Sequence, residues 1–160
     1  MFRINKLTDY GVVLMSHVAR APQRLYNAAQ LAEETGMPKP TASKLLKALA
    51  KRDLLISYRG ANGGYRLARP PQQITVLEVL EAIEGPIGLT ECSTGGSECL
   101  QASHCELRGN WHWISLAVQD ALRSVTIAQM IKPEVMRSDP AANVVKLVQY
   151  PRRPGSTGEV

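Results

Sequence analysis

The amino-acid sequence predicts a mainly α-helical fold with one small β-hairpin, and three observations lead to this prediction. Apolar residues recur every three or four positions in several separate stretches, which is the period of an amphipathic helix. An Asn-Gly pair lies between two short apolar runs within residues 54–67, which is typical of a hairpin. The longest striped stretch comes last, after a loop that holds all three cysteines.

The first two helices are predicted from apolar spacing and from their end signals. Residues 6–21 place apolar side chains on one face, namely Leu7, Tyr10, Leu14 and Val18. Pro22 ends this helix because proline cannot continue one. Asn27 can cap a second helix over residues 28–34, and Gly36 supplies the left-handed conformation that closes it.

A third helix is predicted over residues 41–51, after a short turn at Met37 and Pro38. Two short helices joined by a tight, glycine-bearing turn form a helix-turn-helix, whose second helix reads the major groove of DNA. Its N-terminal positions suit base edges and phosphates: Lys39, Pro40, Thr41, Ser43 and Lys44. From this stretch alone, the alternative is an ordinary helical hairpin with lysines that face water.

The hairpin decides between these readings, because a basic hairpin directly after a helix-turn-helix is a wing. Residues 54–58 and 65–67 are the predicted strands, and the turn between them is rich in glycine. Pro70 and Pro71 then interrupt both helix and strand. We therefore predict a winged helix-turn-helix DNA-binding domain over residues 1–71, with wing contacts from Arg59, Asn62, Gly63 and Arg66.

The charge distribution supports a partner with many phosphates. Residues 1–71 carry 12 Lys and Arg against 4 Asp and Glu, a formal charge of +8. Residues 72–160 carry 7 against 10, a formal charge of −3. Because neutralised phosphates supply most of the nonspecific affinity for DNA, this asymmetry favours double-stranded DNA as the partner of the first half.

The second half of the chain is predicted to pair with a second copy. Thr75 and Glu78 form a capping-box pattern that begins a helix ending near Gly85. After the cysteine loop, a long helix from residue 110 carries an apolar stripe: Trp111, Ile114, Ala117, Val118, Ala121, Leu122 and Val125. So small a domain leaves nothing to cover this stripe, so we predict a homodimer.

The organisation that follows has three parts. Residues 1–71 are the DNA-binding domain, and residues 72–130 comprise a connecting helix, the cysteine loop and the dimerisation helix. Thr126 can cap a last short helix, and residues 131–160 are predicted to be a largely disordered tail. No apolar run reaches the roughly 18 residues of a membrane span and no signal peptide is evident, so a cytoplasmic protein without a membrane partner is expected.

The order of these features resembles a known family. A helix-turn-helix, the wing sequence Arg59-Gly-Ala-Asn-Gly-Gly-Tyr-Arg-Leu, three spaced cysteines and a long helix are similar to the winged-helix iron–sulfur transcriptional regulators of the IscR and NsrR type. The resemblance covers residues 7–130 and is closest to the branch that regulates the SUF cluster-assembly operon. It implies a homodimeric repressor that binds near-palindromic promoter DNA, has no small-molecule substrate, and depends on a bound cluster.

The resemblance also implies the cluster ligands. Cys92, Cys99 and Cys105 match the family's three thiolates, and thiolate is the ligand that iron–sulfur clusters prefer. The IscR type places a fourth ligand, histidine, where this chain has Arg108, which cannot ligate. The NsrR type uses an acidic residue in a run like Thr8-Asp9-Tyr10-Gly11, so Asp9 is our first choice, with His104 and His112 as alternatives. We expect [2Fe–2S], the IscR-type cluster, rather than [4Fe–4S].

Three other readings of the cysteines remain open at this point. A zinc site would use the same residues, although the C-x2-C pair usual in structural zinc sites is missing. A metal-free thiol switch is a second alternative. A cysteine-dependent enzyme belongs to a different class, and the chain offers no base beyond the adjacent His104 and no third group to orient it. We therefore predict that the protein is not an enzyme.

Overall fold

The computed structural model describes residues 4–60, 62–90, 93, 105 and 107–132. Cys92, Cys99, His104 and the predicted tail beyond residue 132 lie outside the described residues. Within these ranges the helices and strands follow the predicted order: α1 (Lys6–Ala19), α2 (Ala28–Thr35), α3 (Lys39–Lys51), β1 (Leu55–Tyr58), β2 (Gly64–Leu67), α4 (Val76–Glu84), α5 (Arg108–Arg123) and α6 (Ile127–Met130). The predicted mainly α-helical fold with a small hairpin is confirmed.

Local signals place the helix ends close to the predicted positions. The side chain of Asn27 accepts from the backbone N–H of Gln30, and Gln30 returns the bond to the Asn27 N–H. Gly36 ends α2 with a φ of 69°, in the left-handed region where glycine is favoured. Helix α3 begins at Lys39, two residues earlier than predicted, because Pro40 fits within the first turn of a helix.

The hydrophobic core lies where α1, α3 and α4 meet, with α2 and α6 closing its sides. Every large side chain in its centre is at most 1% exposed: Leu14, Met15, Val18, Leu31, Leu45, Leu46, Leu49, Leu54, Ile74, Val79 and Ile127. Six of these residues belong to α1 and α3, the helices whose apolar spacing was read from the sequence. The core therefore holds the predicted reading helix in place.

The hairpin is antiparallel, with Leu55 opposite Leu67 and Tyr58 opposite Gly64. An additional bridge, which the sequence did not predict, joins Tyr26 to Tyr65 on the other side of β2. Its two N–H···O bonds measure 2.9 and 2.8 Å. The wing is thereby hydrogen-bonded to the segment between α1 and α2 as well as to its own first strand.

The wing loop differs from the two-residue turn that Asn-Gly usually forms. Gly60 rather than Asn62 has a positive φ, 105°, and the Gly63 N–H donates to the Gly60 carbonyl at 3.0 Å. A Cβ at Gly63 would lie 2.3 Å from the Tyr58 carbonyl oxygen, and one at Gly64 would lie 2.7 Å from that of Tyr26. These two glycines are therefore required by the protein's own backbone, which accounts for them without a bound phosphate.

Backbone hydrogen bonds join the segment between α5 and α6 to the residues that lead into α4. The Val76 N–H donates to the Val125 carbonyl and the Ile127 N–H donates to the Ile74 carbonyl, both at 2.8 Å. Thr126 caps α6 as predicted, through a reciprocal capping box with Gln129. Since Ile127 is fully buried, residues 74–76 and 125–127 belong to the same core as α1 and α3. Among the described residues, no helix has the length and apolar character to cross a membrane.

Candidate nucleic-acid interface and cysteine loop

The N-terminal half of α3 presents a basic surface. Lys39, Pro40 and Lys44 are exposed, while Thr41 and Ser43 are half-buried. The opposite face of the same helix is buried in the core through Ala42, Leu45, Leu46 and Leu49. The five helix residues that were predicted to contact DNA therefore all lie on α3, at its outward end and sides. A third lysine, Lys47, is also exposed one turn after Lys44, and its spacing from Ser43 could have identified it.

The wing adds cations beside this helix. Arg59 and Asn62 are exposed, and Gly63 and Arg66 are half-buried. The Arg66 guanidinium lies 5.0 Å from the centre of the Tyr58 ring, a cation–π contact that holds it on the outer face of the hairpin.

An ion pair joins the end of the wing to α4. The Arg69 guanidinium donates to the Glu78 carboxylate at 2.7 Å, and the Thr75 backbone N–H donates to the same carboxylate at 2.8 Å. Burial by itself would raise the pKa of Glu78, but these bonds and the Thr75 hydroxyl outweigh it and lower the pKa. The carboxylate that caps α4 therefore also fixes the segment after β2.

A second polar cluster connects α1 to α2. Glu34 accepts from the His17 ring nitrogen at 2.6 Å and from Arg24 at 2.9 Å. The His17 hydrogen bond and the Arg24 guanidinium together lower the pKa of Glu34. His17 and Arg24 also contact the ring of buried Tyr26, with centroid distances of 5.6 and 4.5 Å. His17 is thus a structural residue that ties the helix-turn-helix to α1.

The Thr8-Asp9-Tyr10-Gly11 run divides into packing residues and one exposed carboxylate. Thr8 is 1% exposed, and its hydroxyl donates to the Glu84 carboxylate at the end of α4. A Cβ at Gly11 would lie 2.1 Å from Cδ1 of Ile83, so a larger residue there would displace the Ile83 side chain of α4. Asp9, in contrast, is exposed in the first turn of α1, and within the described chain its carboxylate forms no ion pair.

The segment that leads into the cysteine loop is fastened to α5. The Leu89 N–H donates to the hydroxyl of Ser115, which is 2% exposed, at 3.1 Å. The Gln119 side chain donates to the Ile87 carbonyl at 2.6 Å. Of the three cysteines, Cys105 is described, and it is a half-buried free thiol. The other two predicted sulfur ligands, Cys92 and Cys99, lie outside the described residues. Among the described residues, no group of three or more His, Cys, Asp or Glu side chains could hold a metal ion.

The apolar stripe of α5 is covered at one end and exposed at the other. Leu122 and Val125 pack against the core of the same chain, so the reasoning that nothing could cover the stripe does not hold for them. Ala117, Val118 and Ala121 are half-buried. Trp111 and Ile114 are each 40% exposed, and neighbouring Trp113, which was not predicted, is 55% exposed. His112 is exposed on the same turns.

The comparisons with known proteins agree with this arrangement. The sequence profile of the Rrf2 family, described as iron-dependent transcriptional regulators, matches residues 4–133. The regulator NsrR of Oceanobacillus iheyensis is 29% identical over 82% of this chain and 90% of its own length. Two solved structures are each 26% identical to this chain and cover 83% of it. The first is the global cysteine regulator CymR of B. subtilis, with a TM-score of 0.67 and 98% of its own chain covered. The second is T. potens IscR, with a TM-score of 0.63 and 88% of its own chain covered.

These proteins are regulators rather than enzymes, which confirms the prediction that the chain has no catalytic role. The IscR and NsrR resemblance is confirmed as well. With its profile match over residues 4–133 and its winged helix-turn-helix, the chain belongs to the Rrf2 family of DNA-binding transcriptional regulators.

Proposed function

We propose that the protein is a homodimeric repressor of promoter DNA that responds to an iron–sulfur cluster and controls iron–sulfur assembly genes. The observation that carries the proposal is the exposure of Asp9 between residues that pack against α4. Thr8 and Gly11 contact α4, whereas Asp9 is exposed and without an ion pair among the described residues. An acidic residue held on a rigid helix and left unpaired is suited to bind a cation or metal cluster.

The donor set fits such a cluster. Cys105 is a free, half-buried thiol, Cys92 and Cys99 lie in the same loop of the sequence, and Asp9 would supply a fourth, oxygen ligand from the partner subunit. When bound, the cluster would supply a link between the loop and α1 that oxidants or nitric oxide can open. We favour [2Fe–2S] over [4Fe–4S]. The alternatives to Asp9 are His104, outside the described residues, and exposed His112.

The chain's own contacts explain how such a link would reach DNA. Ser115 and Gln119 hold the entry to the loop against α5, and Thr8 holds α1 against α4. His17 and Glu34 connect α1 to α2, next to the reading helix α3. A constraint between the loop and Asp9 would therefore fix the spacing of the two reading helices in a dimer. Because half-site spacing is set by the DNA helical repeat, a small change in spacing lowers affinity.

The cluster is tested by anaerobic purification of the full chain, followed by absorption spectroscopy and iron and sulfide assays. We expect visible absorption and equal amounts of iron and sulfide, lost in Cys99→Ser. Asp9→Asn should lose its colour in air about tenfold faster than the unaltered protein. Asp53→Asn is the matched control, because Asn tolerates the φ of 56° found at Asp53. A preparation with neither iron nor sulfide would contradict the proposal.

The DNA-binding surface is tested by the salt dependence of operator affinity. Lys44→Gln should weaken binding to all sequences and lower the slope of log affinity against log salt by about 1, because one phosphate contact is lost. Lys6→Gln removes an exposed charge of the same sign from α1, outside the predicted interface, and should leave the slope unchanged. Equal slopes for the two variants would argue against α3 as the reader.

A metal-free thiol switch is the second candidate, and the similarity to CymR favours it, since that protein is described as a global cysteine regulator. In this case the anaerobic protein would be colourless. Alkylation of its cysteines would then change operator affinity without releasing any metal.

A further inference from the structure

A cavity of about 700 Å³ lies at the root of the wing, between the hairpin, the end of α1 and α6. Ligand sites in proteins typically have volumes of roughly 300–1,000 Å³, so its size suits a small molecule. Ile56 and Arg66, which are paired across the hairpin, form one wall, and α6 with the residues after it, including Ala128 and Ile131, forms another. We refer to it below as the wing-root cavity.

The charged side chains among the described residues that line the wing-root cavity are all positive. Among the described residues that line it, Arg66, Arg69 and Lys132 are cationic and none is acidic. Arg69 is neutralised by Glu78, but within the described chain neither Arg66 nor Lys132 has a carboxylate within salt-bridge distance. Arg66 also contacts the Tyr58 ring, but within the described chain no carboxylate neutralises either cation that faces this space, which raises the local positive potential.

The rest of the lining is largely apolar. Ala19 and Leu67 belong to the buried core, Pro71 is buried beside them, and Ile56 is a 39% exposed isoleucine on the rim. A phosphate group by itself has no apolar portion and would leave this surface uncovered. A molecule with an anionic group and a short apolar body would satisfy the cations and cover the apolar wall together.

We propose that the wing-root cavity binds a small organic anion, with a carboxylate or phosphate group near Arg66 and Lys132 and an apolar body against Ile56 and Ile131. Such a molecule is an effector rather than a substrate. Arg66 belongs to the predicted DNA contacts, so the bound anion would compete with DNA for its guanidinium. This second statement rests on the proposed function, whereas the binding itself does not.

Binding is tested on the full chain without DNA, by methyl chemical shifts of Ile56, Ala128 and Ile131. Hexanoate and phenyl phosphate are the probes that separate a carboxylate source from a phosphate source. Hexanol lacks the charge and inorganic phosphate lacks the apolar body. We expect saturable shifts with one or both organic anions, and affinities at least about tenfold weaker for hexanol and inorganic phosphate. Equal affinity for phenyl phosphate and inorganic phosphate, with none for hexanoate, would overturn the proposal.

The variants Arg66→Gln and Lys132→Gln should each weaken anion binding about tenfold, because each removes one charge-assisted contact. Lys47→Gln removes an exposed charge from α3 that does not line the cavity, and it should change the affinity less than about twofold. Thermal unfolding monitors folding of each variant, and Lys132→Gln tests the proposal even if Arg66→Gln disturbs the hairpin. Unchanged affinity in Lys132→Gln and Arg66→Gln would show that the shifts arise elsewhere.

The DNA measurement separates this proposal from the proposed function. A saturating anion should lower operator affinity in the unaltered protein and have no effect in Arg66→Gln. If Arg66→Gln and Lys132→Gln both weaken DNA binding while no probe shifts the three methyl groups, the cavity is part of the DNA interface and the effector site is disproved. If the probes bind but operator affinity is unchanged, the binding site stands and the competition with DNA does not.

Discussion

The described part of the predicted DNA-reading segment, within residues 4–71, and helix α5 differ in how far the chain covers its own apolar surface. In α3, Leu45, Leu46 and Leu49 are at most 1% exposed. In α5, Trp111, Trp113 and Ile114 are 40–55% exposed, although the helix is longer and its other end is anchored in the core. In the first region, a single chain covers the apolar face of its own helix. The uncovered end of the second is where we expect a partner subunit to bind.

The helices of the chain also differ in how they begin. Asn27, Thr75 and Thr126 each form a reciprocal capping box at the start of a helix packed into the core. Helix α5 begins after Leu107, which has no side-chain cap among the described residues. Helix α3 likewise begins without a side-chain cap. Because a cap contributes about 1 kcal/mol, the start of α5 depends more on its surroundings than the starts that carry a capping box do. This end of α5 adjoins the cysteine loop, so it is suited to respond to changes there.

The largest difference is expected from matched truncations of the two apolar surfaces. Leu46→Ala should lower the free energy of unfolding by about 2–5 kcal/mol at every protein concentration, because it leaves a cavity in the core. Ile114→Ala should cost less than about 1 kcal/mol within one chain and act mainly on dimer formation, so its effect should depend on protein concentration. Urea unfolding at several concentrations measures both. A concentration-independent loss at Ile114 equal to that at Leu46 would remove the distinction.

Two glycine substitutions should have opposite signs. Gly11→Ala places a methyl group against Ile83 of α4, and overpacking of about 1–3 kcal/mol exceeds the helix-propensity gain of about 1 kcal/mol. Gly109→Ala in α5 meets no atom of the described residues within 4 Å and should stabilise the protein by up to about 1 kcal/mol. Chemical denaturation midpoints report both changes. Shifts of the same sign would mean that the α1–α4 contact is looser than described.

The attachment of the loop entry to α5 is tested at Ser115. Ser115→Ala leaves the Leu89 N–H without its acceptor, which should cost about 1–3 kcal/mol and speed hydrogen exchange at that amide. Ser124→Ala is the matched control, because its exposed hydroxyl bonds only to the Ala121 carbonyl of its own helix. We expect that variant to stay within about 0.5 kcal/mol of the unaltered protein. Unchanged exchange at Leu89 would exclude Ser115 as its anchor.

The smallest effect concerns the pH dependence of the reading segment. The lowered pKa of Glu34 means that its bonds to His17 and Arg24 stabilise the fold above the ordinary value of 4.5. This contribution is lost as the pH falls from 4.5 through the lowered pKa of the folded state. Glu34→Gln should therefore flatten the stability profile in this acidic range. Glu33→Gln, which removes an exposed neighbouring carboxylate, should keep the profile of the unaltered protein if the bonded carboxylate is the cause.

The sequence by itself determined the order of the elements and most of their ends. Helix caps at Asn27, Thr75 and Thr126 and the closing glycine Gly36 act through bonds within four residues, so their signals are local. The hairpin, the apolar face of α3 and the three spaced cysteines could be read in the same way. Spacing alone left the cysteines open between iron, zinc and thiol chemistry, and the resemblance to known regulators led to the prediction of cluster ligation, which stays a prediction.

Only the tertiary structure decided which distant residues meet. The bridge between Tyr26 and Tyr65, the bonds that join residues 74–76 to residues 125–127, and the burial of Thr8 against Glu84 have no local signature. Packing of the whole core selects them, and it also covers Leu122 and Val125 while leaving Trp111 and Ile114 exposed. The wing-root cavity follows from the same packing, because it brings Arg66 of the hairpin and Lys132 at the end of the described residues to one space.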